Sequence, residues 1–154
     1  MSERASVRAL IDAAPEEVWD FFRWDNLEPM CEAGLFRSVA YQDRRAVPGA
    51  TRTVILPDGR SVTERLERLR EAGLGYSYTV LNLEDFPLAE YVGTVSVGPV
   101  AEGVSELSFE CEFVPRGISA DQWREAYSGM QHAFVQFVRT KLDPREEHSR
   151  GQHR

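Results

Sequence analysis

A glutamate set at two-residue spacing among apolar residues is the first feature of this sequence that could do chemistry. Val62, Glu64 and Leu66 alternate with Thr63 and Arg65, so on a strand they share one face. If Val62 and Leu66 face inward, Glu64 does too. A carboxyl in an apolar cavity has a raised pKa and can serve as acid or base near neutrality. The competing reading is a structural ion pair with an arginine, for instance Arg52 or Arg68. Tyr91 comes second, sharing strand parity with Gly93, Val95 and Val97. Its phenol can donate a hydrogen bond to a ligand carbonyl or to a bridging water. A core tyrosine with its hydroxyl at the surface is the alternative. Tyr78 and Asn82 share parity with Val80 and are further candidates. Gly93 either leaves room for a ligand or marks a bulge.

Other chemistries find little material. The histidines are His132, His148 and His153. At ~100° per residue His132 lies nearly opposite Met130 on a helix, which makes it a solvated-face residue. His148 and His153 fall in a polar tail. No Cys/His/Asp set has metal-ligand spacing, so no metal is expected. No Gly-rich phosphate loop or dinucleotide fingerprint occurs, so no cofactor is expected. Lys141 is the only lysine among 18 basic residues. It falls near the end of a long helical pattern, where favourable charge at a helix C-terminus is preferred to a Schiff base. The excess of arginine reads as a high-GC bacterial coding bias.

The elements that must position these residues are those of a globular domain. The chain has 154 residues, 42% hydrophobic and 28% charged, with a formal charge of −7. It is long enough to bury a core without disulfides or metal. The acidic balance, with no basic block, makes nucleic acid and anionic membrane poor partners. No apolar stretch has the length of a membrane span or a signal peptide. With only Cys31 and Cys111, a disulfide framework is excluded, and a cytoplasmic location is expected.

Ala5–Ile11 reads as a first strand. Pro15, followed by Glu16 and Glu17, opens a helix that runs to about Trp24 without a side-chain cap. Asp25 to Gly34 is irregular or a second short helix. A two-residue period then gives strands at Phe36–Gln42, Thr51–Leu56, Ser61–Leu69, Gly75–Leu83, Tyr91–Val97 and Ser105–Val114. Turn chemistry separates them at Pro48-Gly49, Pro57-Asp58-Gly59, Ala72-Gly73, Phe86-Pro87 and Ala101-Glu102-Gly103. In the last strand Leu107, Phe109, Cys111 and Phe113 face one way. Glu106, Ser108, Glu110 and Glu112 face the other, as in an antiparallel sheet wet on one side. Ser119 and Gln122 form a capping box for a helix to Lys141, ended by Asp143-Pro144. Trp123, Ala126, Tyr127, Met130, Ala133, Phe134, Phe137 and Val138 form its apolar stripe. Residues 1–144 are expected as one domain and 145–154 as a polar, disordered tail.

Seven strands with one long helix require a twisted sheet that curls around that helix. The space between them is either a packed core or an apolar pocket. Phe22, Trp24, Phe36, Phe109, Met130, Phe134 and Phe137 would form its walls.

An ordered series of short motifs resembles the START-like, helix-grip superfamily. It runs Ala14-Pro15-Glu16-Glu17-Val18-Trp19, then Gly49-Ala50-Thr51-Arg52-Thr53-Val54, Asp58-Gly59 and Val62-Thr63-Glu64-Arg65-Leu66. Tyr76-Ser77-Tyr78, Phe86-Pro87-Leu88-Ala89-Glu90-Tyr91, Phe113-Val114-Pro115 and the final helix complete it. The similarity is greatest to the polyketide cyclase/dehydrase branch, with plant abscisic acid receptors and the birch pollen allergen group more distant. It implies an α+β helix-grip fold, a curved seven-stranded antiparallel sheet around a long C-terminal helix. It also implies an apolar ligand in the grip cavity, with Glu64 and Tyr91 matching cavity residues of the receptors. The receptors' Gly-Leu-Pro gate and His-Arg-Leu latch are not intact. Leu56-Pro57-Asp58-Gly59 and Asp85-Phe86-Pro87-Leu88 stand there instead.

Three functions are consistent with this reading. The first is a cyclase or dehydratase acting on an apolar polyketide-like carbonyl compound, with Glu64 moving a proton and Tyr91 polarising a carbonyl. The second is a carrier or sensor of an apolar ligand. The third is a protein-binding member of the superfamily. The chain is expected to act as a monomer or homodimer.

Overall fold

The computed structural model describes residues 2–70 and 74–143. The expected Ala72-Gly73 turn, the Pro144 stop and the tail from 145 lie outside the described residues. The element order is β1 (Glu3–Ile11), α1 (Pro15–Trp19), α2 (Glu28–Glu32), β2 (Ser38–Tyr41), β3 (Thr51–Ile55), β4 (Ser61–Leu69), β5 (Gly75–Val80), β6 (Leu88–Ala101), β7 (Val104–Pro115) and α3 (Ala120–Leu142).

The seven strands form one antiparallel sheet in the order β1-β7-β6-β5-β4-β3-β2. Consecutive strands from β2 to β7 are neighbours. β1 joins beside β7, so α1 and α2 carry the chain from one edge of the sheet to the other. The sheet curves around α3, the helix-grip arrangement expected from the sequence. Gly59 and Gly103 take φ of 93° and 69° in the turns before β4 and β7. That left-handed conformation suits a residue without Cβ.

The period-two alternation of β7 holds: Leu107, Phe109, Cys111 and Phe113 are buried, and the glutamates between them are not. Leu66, Leu107, Val18 and Val138 are fully enclosed. Each such side chain contributes about 1.5–3 kcal/mol of burial. Ser119 caps α3 by accepting from the Gln122 N–H, and the Gln122 side chain accepts from the Ser119 N–H. Arg139 donates to the Leu10 carbonyl, and Arg124 reaches Glu3 and the Arg4 carbonyl, tying α3 to β1.

Several boundaries differ from the sequence reading. β6 extends to Leu88–Ala101 because β7 pairs with it throughout, and two irregularities absorb Pro99 and the Leu88–Glu90 step. β2 is only Ser38–Tyr41, and β5 stops at Val80. The first helix ends at Trp19, and turn-like hydrogen bonds carry the chain on to Arg23. On α3 the buried face is Trp123, Tyr127, Gln131, Val135 and Val138. Ala133 is exposed, so the stripe is narrower than its apolar composition implied.

Candidate functional site

A cavity of about 470 Å³ lies between the sheet and α3. That volume falls within the range of small-molecule sites, roughly 300–1,000 Å³. Met30 from α2 and Leu27 just before it contribute to the cavity lining. Ala126 and Met130 from α3, Leu83 and Phe86 from the β5–β6 loop, and Arg60 from the β3–β4 turn form part of its lining. Met130 is 40% exposed while lining the cavity, which places it at the opening. The β5–β6 loop is held by the Arg116 guanidinium, which donates to the carbonyls of Leu83, Glu84 and Phe86.

Glu64 lines this cavity and is also ion-paired. Its cross-strand partner is Arg52 on β3, whose Nε donates to Glu64 Oε1 at 2.7 Å. The two side chains are 3% and 12% exposed. Arg52 also donates to the Trp24 carbonyl at 2.8 Å and to the Tyr76 hydroxyl at 2.9 Å. Its guanidinium stacks 4.1 Å from the Trp24 ring centroid. Burial works against the Arg52 charge, but Tyr76 and Glu64 more than offset it and raise its pKa. The second carboxylate oxygen, Glu64 Oε2, has no hydrogen-bond partner among the described residues. The cavity and ion-pair readings of Glu64 therefore both describe the geometry, and the arginine is Arg52 rather than Arg68.

Tyrosines line the adjoining wall. Tyr76 and Tyr78 share the inner face of β5, and Tyr91 stands on β6. The Tyr78 and Tyr91 hydroxyls are 3.3 Å apart. Rings step from Trp24 to Tyr76, Tyr78, Tyr91, Trp123 and Tyr127 with centroids 5.7–6.4 Å apart. Burial pushes the Tyr78 and Tyr91 hydroxyls above their ordinary range; the Glu64 charge adds to it for Tyr78, and the neighbouring Tyr78 for Tyr91. Both are neutral donors at physiological pH.

Gly93 is opposite Tyr78 in the ladder. A Cβ on Gly93 would sit 2.5 Å from Tyr78 Cζ. The space that Gly93 leaves is thus filled by the Tyr78 ring, not by a ligand.

Of the residues expected at the site, Glu64, Tyr91, Phe22, Phe36, Tyr78, Phe109, Met130 and Phe134 line one cavity. Trp24 does not; it is buried beneath Arg52. Phe137 lies outside, packed edge-on against Phe21 at 5.7 Å. Asn82 is not a cavity residue either. β5 ends two residues before it, and its amide binds β4 instead, accepting from the Thr63 N–H at 2.7 Å and donating to the Ser61 carbonyl at 3.0 Å. His132 is exposed and hydrogen-bonded to Ser128. Lys141 is exposed with its ammonium near the Phe137 ring.

Besides Arg60, Tyr76 and Thr94, two polar cavity residues on α3 are not singled out by the sequence pattern, Tyr127 and Gln131. Both are buried on α3, and neither side chain hydrogen-bonds to a described residue. Gln131 was legible in principle, since it sits four residues from both Tyr127 and Val135 on the buried face. No three His, Cys, Asp or Glu side chains converge on a metal-sized site among the described residues.

The model of a family described as polyketide cyclase / dehydrase and lipid transport matches residues 2–143. No curated protein matches the sequence. Among solved structures, an uncharacterized protein from Bacillus thuringiensis is similar with a TM-score of 0.77 and 19% identity, over 91% of this chain and 98% of that one. The protein XoxI from Bacillus cereus is similar with a TM-score of 0.79 and 21% identity, over 93% and 97%. At these identities the likeness is one of fold.

Proposed function

Since the chain belongs to the polyketide cyclase/dehydrase and lipid transport family, we propose that it binds an apolar carbonyl compound in the grip cavity and catalyses a cyclase- or dehydratase-type reaction on it. The observation that carries this reading is that a carboxylate oxygen without a hydrogen-bond partner among the described residues and a pair of neutral tyrosine hydroxyls line the same apolar cavity. Glu64, its other oxygen held by Arg52, takes a proton from the carbon beside a ligand carbonyl. Tyr91, with Tyr78 beside it, donates a hydrogen bond to the carbonyl oxygen as negative charge develops there. Such preorganised donors act where charge appears in the transition state. The aromatic walls fold a flexible chain into a reactive conformation, which lowers the entropic part of the barrier. An open cavity of this size favours a small ligand over the protein-binding reading.

A carrier without chemistry is the second reading. It is supported by the ion pair itself, because Arg52 balances the charge of Glu64 in a mostly apolar enclosure. Native mass spectrometry of freshly purified protein identifies the bound compound. Incubation of that compound class with the protein then separates the readings. A cyclised or dehydrated product supports the enzyme, and recovery of unchanged compound supports the carrier.

A further inference from the structure

We infer that the cavity selects a neutral ligand carrying a hydroxyl donor and a carbonyl or ether acceptor, and rejects carboxylates. This rests on the reading of the grip cavity as the ligand site. The inference comes from which polar atoms are left without partners. Glu64 Oε2 is an acceptor only, so it is satisfied by a ligand that donates a proton. The Tyr127 hydroxyl and the Gln131 amide belong to buried, cavity-lining residues of α3 and have no hydrogen-bond partner among the described residues. They supply donors that a ligand acceptor can meet. The deep cation is already committed: Arg52 divides its donors among Glu64, Trp24 and Tyr76. A ligand carboxylate pushed to this depth would face the open oxygen of Glu64 with no uncommitted cation among the described lining residues to balance it. Like charges in a water-poor site repel strongly.

Arg60 is the other cationic residue of the lining, and it is engaged as well. It pairs with Asp58 at 2.8 Å and reaches the Asp85 carbonyl. A fatty-acid-like ligand that kept its head at Arg60 would lay an alkyl chain against Glu64, Tyr127 and Gln131. Their polar atoms would then be buried unpaired, which is costly.

The test uses three probes of one size on the intact protein near pH 7.5: 2-naphthol, 2-methoxynaphthalene and 2-naphthoate, each titrated by calorimetry. The expected order places 2-naphthol first, 2-methoxynaphthalene second and 2-naphthoate last. The hydroxyl probe should bind about tenfold or more tighter than the carboxylate, the scale of one buried charge-assisted hydrogen bond. Glu64→Gln removes the repelling charge and should shrink that ratio. The wild-type comparison decides the matter even if this variant folds poorly. Equal or tighter binding of 2-naphthoate overturns the selectivity and leaves the cavity reading standing. Failure of all three probes to bind overturns the cavity reading, and the inference with it.

Discussion

Arg52 and Glu64 face one another directly across the β3–β4 ladder and meet at 2.7 Å, both nearly enclosed. The pair links the sheet to the segment after α1, because Arg52 also holds the Trp24 carbonyl. Breaking a buried pair from one side is far costlier than replacing both members. Arg52→Met should therefore destabilise the fold by about 3–5 kcal/mol, leaving Glu64, Tyr76 and the Trp24 carbonyl unpaired. The double variant Arg52→Met/Glu64→Leu should regain a good part of that loss. Urea unfolding of both variants checks this, and a double variant no more stable than the single one would show that the pairing is not what matters.

Glu64→Gln keeps an oxygen for Arg52 to bind but removes the base. If the protein turns over its ligand, the rate should fall by roughly 10²–10⁴-fold, with a smaller change in affinity. Tyr91→Phe should cost less, about 1.5–3 kcal/mol in barrier for one hydrogen bond to a charged oxygen. Single-turnover kinetics on the ligand found by mass spectrometry is the measurement. Full turnover in Glu64→Gln would leave orientation alone as the source of catalysis.

Gly93→Ala should disturb the site without touching a ligand. The added methyl meets the Tyr78 ring at 2.5 Å, and the ring must move, shifting its hydroxyl from Tyr91. Overpacking of this kind costs about 1–3 kcal/mol. Adding Tyr78→Ala should relieve much of the strain, so the two changes should couple in a double-mutant cycle. Simple additivity would mean that the Tyr78 ring adjusts freely.

Alkaline pH should weaken the fold. Burial pushes the Cys111 thiol from 9.0 up to about 11, and burial likewise raises Tyr76, Tyr78, Tyr91 and Tyr127. The unfolded chain releases these protons first, so it holds fewer protons than the native state above about pH 9. Stability then falls as pH rises. For Cys111 the loss runs from about pH 9 to 11. Urea midpoints measured across that window check the slope, and a flat profile would contradict it.

Where alternation was strict, the sequence reading carried through to the structure. Leu107 to Phe113, the capping box at Ser119 and the turn glycines Gly49, Gly59 and Gly103 did so, because each is a local rule with a local outcome. The same parity brought Glu64 to the inner face. It failed at Asn82, where β5 had already ended and the chain folded back onto β4. Trp24 and Phe137 are aromatic and core-facing, yet type alone does not say which side of a core abuts empty space. Gln131 does not stand out in the pattern, because polarity at a buried helical position goes against the apolar template. Its place is set by α3 packing against the whole sheet, a tertiary fact with no local signature.

The pairing of β1 with β7 also bears on how the chain comes to be folded. Arg4 and Glu112, hydrogen-bonded neighbours, are 108 positions apart, whereas each other strand pair joins consecutive strands. On the ribosome β1 is made first and then waits, its edge unpaired, until β7 has emerged. The meander from β2 to β7 can assemble hairpin by hairpin, but the enclosure needs this last long-range closure before α3 has a complete sheet to dock on. Non-local topologies of this kind fold in milliseconds to seconds rather than microseconds. During that interval the first strand is the part of the chain most in need of protection from other chains.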